Sequence, residues 1–299
     1  MRKLGSRRAA AVLAGGMVCQ LAMMAYAAEG EAQREPQGIR WRTDYGDAMQ
    51  EAKQTGKSML IYFYNPTDTA FNEYFEDTLI ADPRMQQLVK QYIPARLPRT
   101  ATVLSGGRRT RLLSHGSFAE MLNRPGLAVI ELANRKSPHY GYVVSVYPFI
   151  GGEQVTEGHL TALLTLPEGS LTQRTLIFAV RTHPERPGST EGRFSSVLAK
   201  ESEQHARHQA NINLQGHHNW DYRFHRINSQ LPSSMGAQEV VAESWPGQGL
   251  FAAAREVVHS WRQSSGHWGA VRARHAWFGY DMKRGRNGVW YATGIFARR

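Results

Sequence analysis

Apolar positions in the first half of this chain fall into alternating kinds of run. In "DYGDAMQEAKQTG" (44–56), Ala48, Met49 and Ala52 mark one face of a helix that Gly56 stops. "SMLIYFYN" (58–65) is short and continuously apolar, the pattern of a strand buried on both faces. A longer stretch with helical character, "AFNEYFEDTLIADPRMQQLVKQ", leads to a strand at "YIPARL". "GLAVIEL" and "YGYVVSVYPF" predict two more strands, and "TEGHLTALLTL" a closing helix. Alternation of this kind predicts an α/β fold, a sheet layered by helices.

The second half changes character after "HPERPGSTEG" (183–192), which reads as a linker or surface loop. "SSVLAKESEQHARHQANINL" predicts a helix capped by Ser195 or Ser196, with His205 and His208 on one face and Gly216 past its end. The adjacent His217 and His218 follow; on an extended chain they point opposite ways. "EVVAESWPG" reads as a short buried strand carrying Glu239, with Glu243 where the chain leaves it. In "GLFAAAREVVHSWRQ", Leu250, Phe251, Ala254, Val257, Val258 and Trp261 recur at helical spacing. Glu256 falls almost opposite that stripe, so periodicity alone makes it a solvated carboxylate. Ser264-Ser265-Gly266 predicts a bend that swings His267 back. "AWFGYDMKRGRNGVWYATGIFA" predicts a hairpin around Asn287-Gly288.

Composition narrows the function classes. The first 28 residues carry Arg2, Lys3, Arg7 and Arg8, then an apolar run from Ala9 to Met24, then Ala25-Tyr26-Ala27. That is the pattern of a signal peptide, and the run is short for a membrane span. Export to the cell envelope or outside the cell is therefore expected, with no stable span after cleavage. Without those four residues, 32 basic side chains face 25 acidic ones, a net charge of +7. The charge is dispersed and lacks the dense basic, aromatic-interleaved runs that nucleic-acid binding needs. Cys19 is the only cysteine and leaves with the signal, so thiol and disulfide chemistry are excluded. Eight of the twelve histidines lie beyond residue 200 and six of the seven tryptophans beyond residue 219, which favours a site in that half.

The order of elements over residues 37–167 resembles the thioredoxin-like fold. The resemblance rests on Trp41, Ala48, Ala52, Gly56 and Lys57 before the first central strand, and on Pro125 where that fold usually carries a cis-proline. The redox pair should follow "IYFYN"; the chain has "PTDTAF" instead. The resemblance therefore implies fold without thiol activity, as a binding or spacer module.

The rest, roughly residues 185–299, resembles the CAP family of SCP-like extracellular domains. The matching motifs are His205-Ala206 in a helix, Gly216-His217, Glu243 at a strand end, "EVVHSW", "SSGHW", and "FGYDM…GVWYATGIF". The family fold is an α-β-α sandwich. The division expected is a signal peptide over 1–28, a linker over 29–36, a thioredoxin-like domain over 37–167, a connecting segment over 168–192 and a CAP-like domain over 193–299. The resemblance implies a tetrad of His217, Glu243, Glu256 and His267, holding zinc or another divalent metal in some members. Ser244 replaces the asparagine of the family's Glu-Asn motif, and His218 and Glu239 rival His217 and Glu243. Two imidazoles and two carboxylates suit zinc or a neighbouring first-row ion.

Two functions compete on this reading. One is non-catalytic binding of an extracellular or envelope ligand, with a divalent metal in the tetrad. The other is hydrolysis of an envelope substrate, with Glu243 or Glu256 as acid or base beside His217 or His267. Ser264 and Ser265 are poor nucleophiles, because no nucleophile elbow or metalloprotease His-Glu-x-x-His helix is present.

Overall fold

The apolar run at 59–64 becomes strand β1 (Met59–Tyr64), the second strand of a four-stranded sheet ordered β2-β1-β5-β6. Both of its faces enter a core, Leu60 and Tyr62 on one side and Met59, Ile61 and Phe63 on the other, which is why it needs no polar alternation. β2 (Ile93–Pro98) pairs with it in parallel; β5 (Gly126–Ile130) pairs antiparallel, and β6 (Val143–Pro148) lies antiparallel outside β5. The computed structural model describes residues 38–105, 107–232 and 235–298. The expected signal peptide and linker lie outside the described residues.

Local chemistry sets the helices of this half. α1 (Tyr45–Thr55) starts at Asp44, whose carboxylate accepts from the Asp47 N–H at 2.9 Å, and ends at Gly56 with φ +64°. A parallel β1–β2 pair needs a crossover. It is supplied by α2 (Thr69–Glu73), a π-helical turn over Tyr74–Leu79, and α3 (Pro83–Val89). The single helical stretch expected here is broken at Asp82-Pro83, where Asp82 caps α3 and Pro83 takes its first position. A small hairpin, β3 (Thr102–Ser105) and β4 (Arg108–Arg111), is inserted before β5, and α4 (Glu157–Leu164) follows β6.

Residues 168–192, expected to connect two domains, carry α5 (Leu171–Arg181), capped reciprocally by Ser170 and Gln173. Every residue of α5 from Gln173 to Val180 is buried. The following turn is buried too: Ser189 is fully enclosed and lies 2.7 Å from the Tyr280 hydroxyl. The described residues accordingly cluster as one compact unit.

The second sheet is ordered β7-β9-β10-β8. β7 (Arg193–Phe194) precedes the long α6 (Ser196–Ile212), which Ser195 caps and Asn213 ends in the left-handed region. α7 (Trp220–Asn228), β8 (Gly236–Glu243), α8 (Leu250–Gln263) and α9 (Ser265–Arg272) come next. The chain closes with the hairpin β9 (Trp277–Arg284) and β10 (Trp290–Arg298), turned at Asn287-Gly288. Only Ser264 forms the bend after α8; its hydroxyl caps α9, so Ser265-Gly266 is already helical.

α6 packs on one face of this sheet so closely that a Cβ on Gly279 would lie 2.2 Å from the Ala199 nitrogen. The apolar stripe of α8, Leu250 to Trp261, covers the other face against Val240, Ala242, Phe278, Tyr280 and Met282. The same core continues through α5 to Leu60, Tyr62, Leu127 and Val129 of the first sheet. A separate core lies on the first sheet's far side, where Met59, Ile61 and Phe63 meet Ala48 and Ala52.

Candidate functional site

Strand period places Glu239, Val241 and Glu243 on one face of β8, while Val240 and Ala242 enter the α8 core. Glu239 sits mid-strand with its side chain 1% exposed. A carboxylate that deep requires partners. It has three: the Arg223 guanidinium from α7, the His217 ring and, at 3.8 Å, the His205 ring from α6.

α6 fixes the loop that presents His217. His205 Nε2 donates to the Gly216 carbonyl at 2.9 Å, and the Gly216 N–H donates to Gln209 Oε1 at 3.1 Å. Gln209 is held in turn by its 3.0 Å hydrogen bond to Thr293 Oγ1 on β10. His217 then donates from Nδ1 to Glu239 Oε1 at 2.9 Å. That bond selects the tautomer and leaves Nε2 with a free electron pair. His267, on the first turn of α9, brings its Nε2 to 3.4 Å from it. β8 is an edge strand, so groups from helices on opposite faces of the sheet can meet beyond it.

The electrostatics keep the imidazoles neutral. Burial, with Arg223 adding to it, lowers the His205 pKa to about 3. Burial and then Arg223 lower that of His217, and burial and then His217 lower that of His267. With its electron pair on Nε2, His217 can accept a hydrogen bond from His267 Nε2–H, and in the other His267 tautomer the two nitrogens can hold one ion. Their 3.4 Å separation matches the edge of a tetrahedron around an ion bound at about 2.0–2.1 Å. A carboxylate behind a ligating histidine is the usual orienting partner at such ions. Among the described residues, no group of three or more His, Cys, Asp or Glu side chains is placed to hold a metal.

Of the four residues expected to form the tetrad, the structure brings His217 and His267 together. Glu243 is exposed at the end of β8, four residues or about 13 Å beyond Glu239. Glu256 lies on the α8 surface formed with Ala252, Arg255 and His259, and lines a different cavity. Glu239, the rival carboxylate, takes the place beside His217. His218 lies in the turn before α7 rather than on extended chain and points elsewhere, its ring 5.5 Å from that of His208. Sequence reasoning missed the parts that Arg223 and His205 play at this site. The available signal was an arginine and a histidine on helices flanking a carboxylate in an apolar strand.

No family model and no curated protein matches this chain. Among solved structures, an outer surface protein from Borrelia burgdorferi matches at 18% identity, covering 36% of this chain and 77% of that one, with a TM-score of 0.30. No helix among the described residues is long and apolar enough to cross a membrane.

Proposed function

We propose that this is an exported envelope or extracellular protein that binds a ligand without transforming it. In this reading a thioredoxin-like unit lacking thiols is fused to a CAP-like α-β-α unit. The order β2-β1-β5-β6, with one parallel and two antiparallel pairings, supports the first assignment. Helices on both faces of the β7-β9-β10-β8 sheet support the second.

The binding centre is the His217–His267 pair, and the facing Nε2 atoms at 3.4 Å, with Glu239 on Nδ1 of His217, carry the proposal. Zinc or a neighbouring first-row divalent ion would be held by the two imidazoles. Such an ion would supply Lewis acidity to an anionic or carbonyl-bearing ligand in its remaining positions. Titration with Zn²⁺ or Co²⁺, read by calorimetry and by the Co²⁺ absorption spectrum, tests this. Binding should disappear in His217→Ala and in His267→Ala and persist in His218→Ala. Equal binding in all three variants would remove the pair as the centre.

A second reading, hydrolysis, is favoured by one observation: Glu239, His217 and His267 form a carboxylate–imidazole–imidazole chain suited to proton transfer. Here His267, at the end of the chain and backed by His217 and Glu239, would activate a water. Turnover of ester, peptide or glycan substrates that is lost in His217→Ala would establish it.

A further inference from the structure

The cavity that receives Glu256 shares no lining residue with the His217–His267 pair. It encloses about 710 Å³ between the end of β6 and helices α4, α5 and α8. That is within the range of small-molecule sites, about 300–1,000 Å³. Its position is set by the shared core, because β6 and α4 supply one wall, α8 the opposite wall, and α5 the base.

Three rings form the floor. Tyr147 lies 5.1 Å from Phe178 and 5.7 Å from Phe251, and Phe178 lies 5.9 Å from Phe251, centroid to centroid. The packing is tilted and no ring is more than 4% exposed, so the rings seal an apolar floor and reach the cavity only at their edges.

The charges on the wall are few, and most are neutralised. Arg255 is paired with Glu153 across the mouth. His159 Nδ1 accepts the Thr156 N–H at 3.2 Å, and His183 Nδ1 accepts the Glu185 N–H at 3.2 Å. Burial lowers the pKa of both rings, so neither repels a cation near neutral pH. Glu256 lines the same cavity and has no ion-pair partner among the described residues. An aromatic floor and one uncompensated carboxylate select a particular ligand chemistry. An apolar or aromatic body fits the floor, and a cationic group pairs with Glu256 at the cavity wall.

We propose that this cavity is a second binding site, for small organic cations with an apolar body. The site is independent of the His217–His267 centre and uses Glu256 as its charge partner.

The probe is phenethylammonium, titrated into the purified protein at pH 7 with binding read by calorimetry and ligand-observed NMR. Its comparators are phenethyl alcohol, which lacks the charge, phenylacetate, which reverses it, and ethylammonium, which lacks the ring. Phenethylammonium should bind at least about tenfold more tightly than each comparator. Glu256→Gln should weaken it about tenfold, and Ala252→Phe, at an exposed cavity-lining position, should block it. His267→Ala should leave it unchanged, which separates this site from the imidazole centre. No binding of phenethylammonium, equal binding of the neutral and anionic isosteres, or an unaltered Glu256→Gln titration would each overturn the proposal.

Discussion

Thr172 Oγ1 donates a 2.6 Å hydrogen bond to Oδ1 of Asp281, joining the first turn of α5 to the middle of β9. Asp281 is fully enclosed, and burial pushes its carboxyl pKa upward while Lys283 and this hydroxyl pull it down. Thr172→Val keeps the shape and leaves that buried oxygen with only the Met282 N–H, at 2.7 Å, as a donor. Removing one partner of a buried hydrogen bond costs about 1–3 kcal/mol. Urea unfolding should show a loss of that size with an unchanged m-value. A variant as stable as the parent would mean that α5 is held by its apolar contacts alone.

How far such contacts can be read from the chain depends on how local their causes are. The helix stop at Gly56 and the stripe ending in Trp261 follow from neighbouring residues, and they are where the patterns place them. α5 is harder to read, because Leu176 to Val180 is a continuous apolar run with no polar face to reveal helical period. The choice between Glu239 and Glu243 is not legible at all. Residues two or four apart on a strand share a face, so only depth in the sheet separates them, and depth is set by β10 pairing. Glu256 shows the same limit from the other side. It does lie opposite the stripe, yet periodicity cannot tell open solvent from a cavity walled by α5.

Gly279 makes the close approach of α6 testable. A methyl group there would meet the Ala199 nitrogen at 2.2 Å and the Leu198 carbonyl carbon at 2.3 Å, both backbone atoms that cannot step aside. Gly279→Ala should therefore cost roughly 3 kcal/mol, from α6 lifting off the sheet. Gly269 is the contrast: it lies within α9, and an added Cβ meets nothing within 4 Å. Gly269→Ala should stabilise by about 0.5–1 kcal/mol through helix propensity. Thermal melts of the two variants should move in opposite directions; a shared direction would contradict the packing described.

Glu239 is expected to be structural as well as functional. Arg223 is largely buried and its guanidinium faces this carboxylate, so Glu239→Ala strands a cation in the interior. Breaking a buried pair by removing one partner costs about 3–5 kcal/mol. The double variant Glu239→Ala/Arg223→Met should recover part of that loss. In the Glu239→Gln protein, ¹⁵N NMR at neutral pH should show His217 losing its preference for a protonated Nδ1. A His217 tautomer unaffected by this change would disconnect Glu239 from the imidazole pair.

Acid should destabilise this fold through its histidines. His205 has a folded-state pKa of about 3, against an ordinary value of 6.5, because burial and Arg223 oppose its charge. The folded protein thus binds fewer protons at this ring than the unfolded chain does between those two values. The ring's contribution to stability is complete above pH 6.5 and is lost as the pH falls toward 3. His217 and His267 are shifted in the same direction and add to the loss. Urea midpoints measured from pH 7.5 down to about 4.5 should therefore fall steadily below 6.5. His205→Gln retains a donor for the Gly216 carbonyl but has no proton to gain, so its midpoints should fall less steeply. Identical slopes for the two proteins would place the acid sensitivity elsewhere.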